Sequence, residues 1–159
     1  MTKADEIVRR VLAGRGIVAP EDVEEFFSEK PKRTYDPFLL PDMERGTELI
    51  VSFLKSGGRI CVYGDYDVDG VLSTALLCRY FKALPDVRPD VFYHIPSRFD
   101  EGYGPNRAAL LSIREAGASL VVTVDCGSVS KDEVAYAKEI GLSFVVTDHH
   151  DCDPASLPD

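Results

Sequence analysis

Acids and histidines gather at three places in this 159-residue chain. The segment GDYDVDG, residues 64–70, holds Asp65, Asp67 and Asp69 at alternate positions. Asp125 closes the apolar run Ser119–Val124, and Asp148, His149 and His150 close the run Ser143–Thr147. Carboxylates brought together repel one another unless a cation lies between them. Oxygen donors with one or two imidazoles suit Mn²⁺ or Mg²⁺, with iron or zinc also compatible, and this many aspartates suit two ions better than one. Adjacent histidines leave a turn in different directions, so one imidazole can bind metal while the other donates to a phosphate oxygen. The chain has only three histidines, which makes the pair a sharp signal.

Two other motifs are imitated and fail on their own terms. A calcium loop of the form D-x-D-x-D-G needs an acid at its twelfth position, where Leu76 stands, and a helix rather than a strand in front of it. The aspartate nucleophile of haloacid-dehalogenase-like phosphatases resembles Asp67-Val68-Asp69-Gly70-Val71-Leu72. It should follow its strand directly, whereas Gly64-Asp65-Tyr66 intervenes.

The elements that must position these residues follow from periodicity. A helix is expected from an Asp42 cap to Gly57, with Leu49, Ile50, Phe53 and Leu54 on one face. Strands are expected at Arg59–Tyr63, Asp90–Ile95, Ser119–Val124 and Ser143–Thr147. Helices between them run from about Gly70 to Ala83, from Pro105 at its first position, and from a Ser130/Glu133 capping box to Gly141. Strands alternating with helices imply an α/β fold, a Rossmann-like parallel sheet with helices on both faces. Ligands bind beyond the C-terminal ends of such strands, and three of the four ends carry the acids and histidines. The second ends instead in Pro96-Ser97-Arg98. Residues 1–41 read as a separate helical segment: Ile7, Val8, Val11 and Leu12 form a stripe ended by Gly14, and Pro20 opens a short helix. Glu29–Pro41, with Pro31, Pro37 and Pro41, reads as an extended connector. Residues 42–159 form the α/β domain.

With 45% apolar and 28% charged residues the chain has the composition of a folded globular protein. Its 27 acids against 18 Lys and Arg give a net charge of −9, which argues against gripping nucleic acid by overall charge. Four scattered cysteines, Cys61, Cys78, Cys126 and Cys152, form neither a zinc motif nor a disulfide framework. No apolar run is long enough to span a bilayer, and residues 1–10 (MTKADEIVRR) carry no signal-like apolar core. A cytoplasmic location is therefore expected, with no membrane association.

GDYDVDG, VDCG and TDHH, in that order on successive strand ends, resemble the DHH phosphoesterase superfamily, and most closely its RecJ-like branch of single-strand-specific 5′→3′ DNA exonucleases. The stretches Asp36-Pro37-Phe38, Ile95-Pro96-Ser97-Arg98 and Glu101-Gly102-Tyr103-Gly104-Pro105-Asn106 resemble it too. The resemblance implies a metal-dependent phosphodiesterase with two divalent cations, Mn²⁺ first and Mg²⁺ second. It implies that Asp67 holds one ion and Asp69 the other, that Asp125 bridges them, and that His149 is a ligand. His150 would contact phosphate and Asp148 would orient the histidines, with Asp65 a weaker ligand candidate. Two such ions clamp a phosphodiester and activate a water for in-line attack.

Arg98 and the loop Gly102, Tyr103, Gly104 are candidates to receive the backbone of single-stranded DNA. A surface ion pair with Asp100 or Glu101 is the other role open to Arg98, and Tyr66 and Tyr103 are candidates to stack on bases. DNA-repair and recombination proteins would be the partners of such an enzyme. The family also uses an aspartate on a later strand and a C-terminal substrate-binding domain, neither of which is found among these 159 residues, so the chain is expected to be either a piece of a longer protein or a shortened relative with an impaired site. These 159 residues alone are accordingly expected to bind metal weakly and to be weakly active or inactive. Hydrolysis of pyrophosphate, short oligonucleotides or cyclic dinucleotides, and a non-catalytic interaction module, are the alternatives. Tyr63 stands where relatives with small substrates carry a histidine, which favours the exonuclease branch.

Overall fold

The computed structural model describes residues 2–30, 34–87 and 89–158. Pro31, and the chain ends Met1 and Asp159, lie outside the described residues. The chain divides into two compact units, Met1–Met43 and Glu44–Asp159.

In the first unit, α1 (Lys3–Gly14) starts from a capping box. The Thr2 hydroxyl accepts the Asp5 N–H at 3.2 Å, while the Asp5 carboxylate accepts the Thr2 N–H at 2.7 Å. Helix α2 (Pro20–Phe26) has proline at its first position and Glu21 and Asp22 in its first turn, where anionic side chains favour the helix dipole. The connector is not extended throughout. Asp36 accepts the Phe38 N–H at 2.9 Å and caps a single 3-10 turn, Pro37–Leu39.

The second unit holds α3 (Met43–Ser56), β1 (Ile60–Tyr63), α4 (Val68–Ala83), β2 (Val91–His94), α5 (Arg107–Glu115), β3 (Leu120–Val124), α6 (Lys131–Glu139) and β4 (Ser143–Thr147). All four strands are parallel, in the order β2-β1-β3-β4. Central β1 and β3 are apolar almost throughout and buried along their whole length, as strands covered on both faces must be. Ile60, Val62, Leu120 and Val122 point to one face, where Leu54 of α3 and Cys78 and Phe81 of α4 cover them. Cys61, Tyr63 and Val121 point to the other, beneath Leu110 and Ile113 of α5 and Ala137 of α6. This division follows from crossover handedness. The connection from β1 to β2 and those that return through β3 to β4 move in opposite directions along the sheet, so their helices fall on opposite faces. Each such aliphatic side chain contributes about 1.5–3 kcal/mol by burial. The order in which strands are added reverses between β1 and β3, and their C-terminal ends open the crevice there.

Three expected helix starts are corrected. Helix α4 begins at Val68, not near Gly70, because Asp67 is its cap. Asn106, not Pro105, starts α5: it is extended, and its side chain accepts the Ala109 N–H at 2.8 Å. Ser130 precedes α6 but makes no side-chain capping bond, so the Ser130/Glu133 box is not formed. Its ψ of 44° is not the extended backbone that aims a hydroxyl at the third helical N–H. Helix α3 begins at Met43, directly after Asp42 as expected, with Asp42 at φ 53°, a left-handed conformation that aspartate tolerates.

Candidate metal centre

The loop from β1 to α4 is fixed by two close approaches. A methyl group on Gly70 would lie 2.5 Å from the backbone N and O of Asp65, and one on Gly64 would meet the Thr74 side chain and lie 2.9 Å from the Gly70 carbonyl. Only glycine lets the first turn of α4 sit this close to the strand end. Asp65 is thereby buried, and its Oδ1 has no hydrogen-bond partner among the described residues. Burial pushes its carboxyl above the usual range, against the pull of the Tyr66 N–H and, more weakly, of Arg98. Asp67 stands exposed at the α4 cap, where its Oδ1 accepts the Gly70 N–H at 3.0 Å. That bond is the chief reason its carboxyl is held low. Asp69 lies exposed in the first turn of α4.

Asp125 follows β3 with φ 63°, a left-handed conformation that aspartate tolerates better than most residues. Its N–H still donates to the Thr147 carbonyl of β4 at 3.0 Å. The turn of the backbone directs a nearly buried carboxylate toward the end of β4. Oδ1 lies 2.8 Å from His149 Nε2, while Oδ2 is buried and without a partner among the described residues.

Asp148 points the other way, inward, with its side chain only 3% exposed. Oδ2 accepts the Ser128 N–H at 2.9 Å, and Oδ1 lies 2.7 Å from His150 Nδ1 and accepts the His150 N–H at 3.1 Å. Burial opposes its ionisation, but the Ser128 N–H and His150 outweigh it and hold the carboxyl at about 2. The same contact, above all, raises the imidazole of His150. With Nδ1 of His150 held, Nε2 has no partner among the described residues. Within that set, only Asp125, His149 and His150 bring three ligand atoms within 4.8 Å of one another. Asp69, Leu72, Leu76, Asp125, Asp148 and His149 line a cavity of about 510 Å³ beside them.

Asp65, Asp67 and Asp69 stand on the neighbouring loop, outside that group. Asp65 feels the charges of Asp67 and Asp125, and Asp67 that of His150, so the loop shares one electrostatic environment with the group. The donor chemistry fits a divalent cation. A buried carboxylate oxygen without a partner costs about 1–3 kcal/mol or more, and the two such oxygens, on Asp65 and Asp125, are anionic donors of the hard type.

The loop between β2 and α5 closes one side. The Tyr103 hydroxyl lies 3.3 Å from the Asp125 carbonyl oxygen and 3.3 Å from His150 Nδ1. Gly102 and Gly104 flank it with φ 81° and 76°. Arg98 does not take either acid that the sequence offered it. Its guanidinium lies 4.5 Å from the centre of the Tyr66 ring, Asp100 accepts the Ser97 hydroxyl, and Glu101 is turned inward. Tyr66 therefore already carries a cation on its face. Ser128, the inward role of Glu101 and the close approaches of Gly64 and Gly70 went unread in the sequence. Glycines bracketing an acid-rich strand-end turn were the one signal that pointed to the last.

Residues 59–159 match the family model described as DHH family, N-terminal domain. The single-stranded-DNA-specific exonuclease RecJ of Bacillus subtilis is 40% identical over 153 residues, covering 96% of this chain and 19% of that protein. The Escherichia coli protein of the same name is 35% identical over 144 residues, 91% of this chain and 24% of that one. A crystal structure of exonuclease RecJ bound to manganese matches with a TM-score of 0.66 and 36% identity, over 76% of this chain and 31% of that chain. RecJ from Thermus thermophilus in complex with Mn²⁺ matches with a TM-score of 0.66 and 29% identity, over 92% and 19%. The chain thus spans about a fifth to a quarter of the length of these curated relatives.

Proposed function

The chain belongs to the DHH family, and from that premise we propose that it carries the metal site of a phosphodiesterase that degrades single-stranded DNA from its 5′ end, a cytoplasmic enzyme of DNA repair and recombination. The observation that carries this reading is the nearly buried Asp125, with one oxygen on His149 and the other unpaired, at the point where the order of strand addition reverses.

Asp125 would be shared by two divalent cations, Mn²⁺ before Mg²⁺, with Asp67 and Asp69 each holding one, His149 as a further ligand and Asp65 as a weaker one. Bound there, the cations supply positive charge to the phosphodiester oxygens and a more acidic water. The protein groups do the rest. Asp148, anchored on the Ser128 N–H, fixes both histidines by their backbone and side-chain bonds. It keeps Nδ1 of His150 occupied, which leaves Nε2 as the nitrogen that would donate to a phosphate oxygen. Arg98 and the Gly102–Gly104 loop would bind the nucleic-acid backbone, and Tyr103 would hold His150 in place through its hydroxyl.

The test is digestion of an end-labelled single-stranded oligonucleotide with Mn²⁺ by a full-length version of the protein, with Asp125→Asn in the same version as control. Nucleotide release from the 5′ end that needs Mn²⁺ and Asp125 is the expected result. Hydrolysis confined to pyrophosphate, di- or trinucleotides, or cyclic dinucleotides would overturn the substrate assignment. Mn²⁺ binding without hydrolysis of any of these would overturn the enzymatic one.

A further inference from the structure

The loop between β2 and α5 is held by a carboxylate that faces inward. Glu101 Oε1 accepts the Ser97 N–H at 2.9 Å, and Oε2 lies 3.0 Å from His94 Nε2 and accepts Asn106 Nδ2 at 3.2 Å. The N–H groups of Glu101 and Gly102 return to the Ser97 carbonyl at 2.9 and 3.3 Å. Asn106 extends the network while capping α5, since its Nδ2 also lies 3.5 Å from the Tyr63 hydroxyl. That hydroxyl, fully buried, donates to the Gly104 carbonyl at 2.9 Å. One carboxylate thus joins the end of β2, the first turn of the loop, the cap of α5 and, through Asn106 and Tyr63, the glycine after Tyr103. Burial alone would raise the Glu101 carboxyl, yet the Ser97, Asn106 and His94 bonds keep it below the usual range.

The loop would otherwise be loose where it matters. Tyr103 stands between two glycines in left-handed conformations, and such glycines fix a chain poorly. Even so, its hydroxyl is placed against both Asp125 and His150. Arg98 leaves the same loop one residue after Ser97. We propose that Glu101 is a positioning residue: it clamps residues 97–104 so that Tyr103 and Arg98 stand beside the metal cluster before nucleic acid arrives. The proposal rests on the nuclease reading for its effect on catalysis, whereas the clamp itself is a property of the protein without DNA.

Glu101→Gln tests it with almost no change of shape. A glutamine turns a donor toward one of the groups now facing a carboxylate oxygen, and Asn106 and Ser97 can only donate there. Asn106→Ser is the second variant, keeping a capping hydroxyl for α5 while removing the donor to Glu101. Amide hydrogen exchange of the metal-free protein should accelerate about tenfold or more at residues 97–104 in both variants, with β1 and β3 unchanged. Mn²⁺ affinity should stay within about twofold. On single-stranded DNA, Glu101→Gln should raise KM about tenfold, and combining it with Tyr103→Ala should cost clearly less than the two separate losses together.

Unchanged exchange in the loop, acceleration spread over β1 and β3, or additive losses in the double variant would each overturn the clamp. A parent protein that degrades no DNA would sink the nuclease reading, and the exchange measurement would then decide the clamp alone.

Discussion

The two loops that bring acids to the crevice solve the same problem in opposite ways. After β1, the backbone is packed so closely at Gly64 and Gly70 that the carboxylates take what space remains: Asp65 is buried, Asp67 caps α4, and Asp69 stands free. After β4, one buried carboxylate does the packing. Asp148 ties the turn to Ser128 and leaves both imidazoles exposed and oriented. In the first loop glycines position aspartates, and in the second an aspartate positions histidines. A carboxylate at a strand end is therefore not one kind of residue. Its role is set by whether the backbone around it is already held.

Breaking the carboxylate that stands between the two loops, at the end of β3, should have the largest effect. Asp125→Asn should lower Mn²⁺-dependent hydrolysis by more than about 100-fold, beyond the range seen for groups that merely support metal ligands. Asparagine tolerates φ 63° as aspartate does, so thermal unfolding should stay within about 1–2 °C of the parent. Near-normal turnover would remove Asp125 from the centre.

Gly70→Ala should break the first loop without touching a carboxylate. The clash is with Asp65 backbone, so the cost is about 1–3 kcal/mol. For a chain of this size that is a fall in Tm of several degrees. A variant as stable as the parent would show that the close approach is not what holds the turn.

The second loop separates its two histidines. His149→Ala should weaken Mn²⁺ binding about tenfold, whereas His150→Ala should leave it within about twofold and lower the hydrolytic rate instead. Calorimetric titration of both variants, with rates on single-stranded DNA, decides this. Equal losses of affinity would mean that both imidazoles of the cluster are ligands.

The smallest effect is expected at Ser130. Its hydroxyl makes no capping bond, so Ser130→Ala should change stability by no more than about 0.5 kcal/mol in denaturant unfolding. Loss of a working cap would cost about 1 kcal/mol.

The sequence disclosed the sheet and the strand ends because apolar runs bounded by glycine and acids have a periodicity independent of distant contacts. Asp125 and His149, read as neighbours from separate strand ends, stand within hydrogen-bonding distance. What was not legible depended on backbone geometry or on tertiary partners. The Ser130/Glu133 spacing is right for a capping box, but Ser130 lacks the extended backbone the box needs. Asp67 was read as a ligand candidate, with helix cap or turn residue as its other role, and it is indeed the cap of α4, which begins two positions earlier than expected. Glu101 looked like a surface acid beside Arg98, and nothing in its sequence neighbourhood tells that His94, Ser97 and Asn106 all turn toward it.

The strand order has a consequence for the order of folding. Strand β1 pairs with β3 by placing Ile60 beside Leu120, and the Asp65 and Asp125 loops meet only when that pairing is made. Closing a loop of that length is a slow, non-local event compared with forming either flanking helix. A divalent cation cannot nucleate this step through a site that does not yet exist. On a ribosome, a nascent chain could carry the whole β1 loop and still hold no metal until β3 and β4 had emerged. Metal uptake would then report that the sheet has closed.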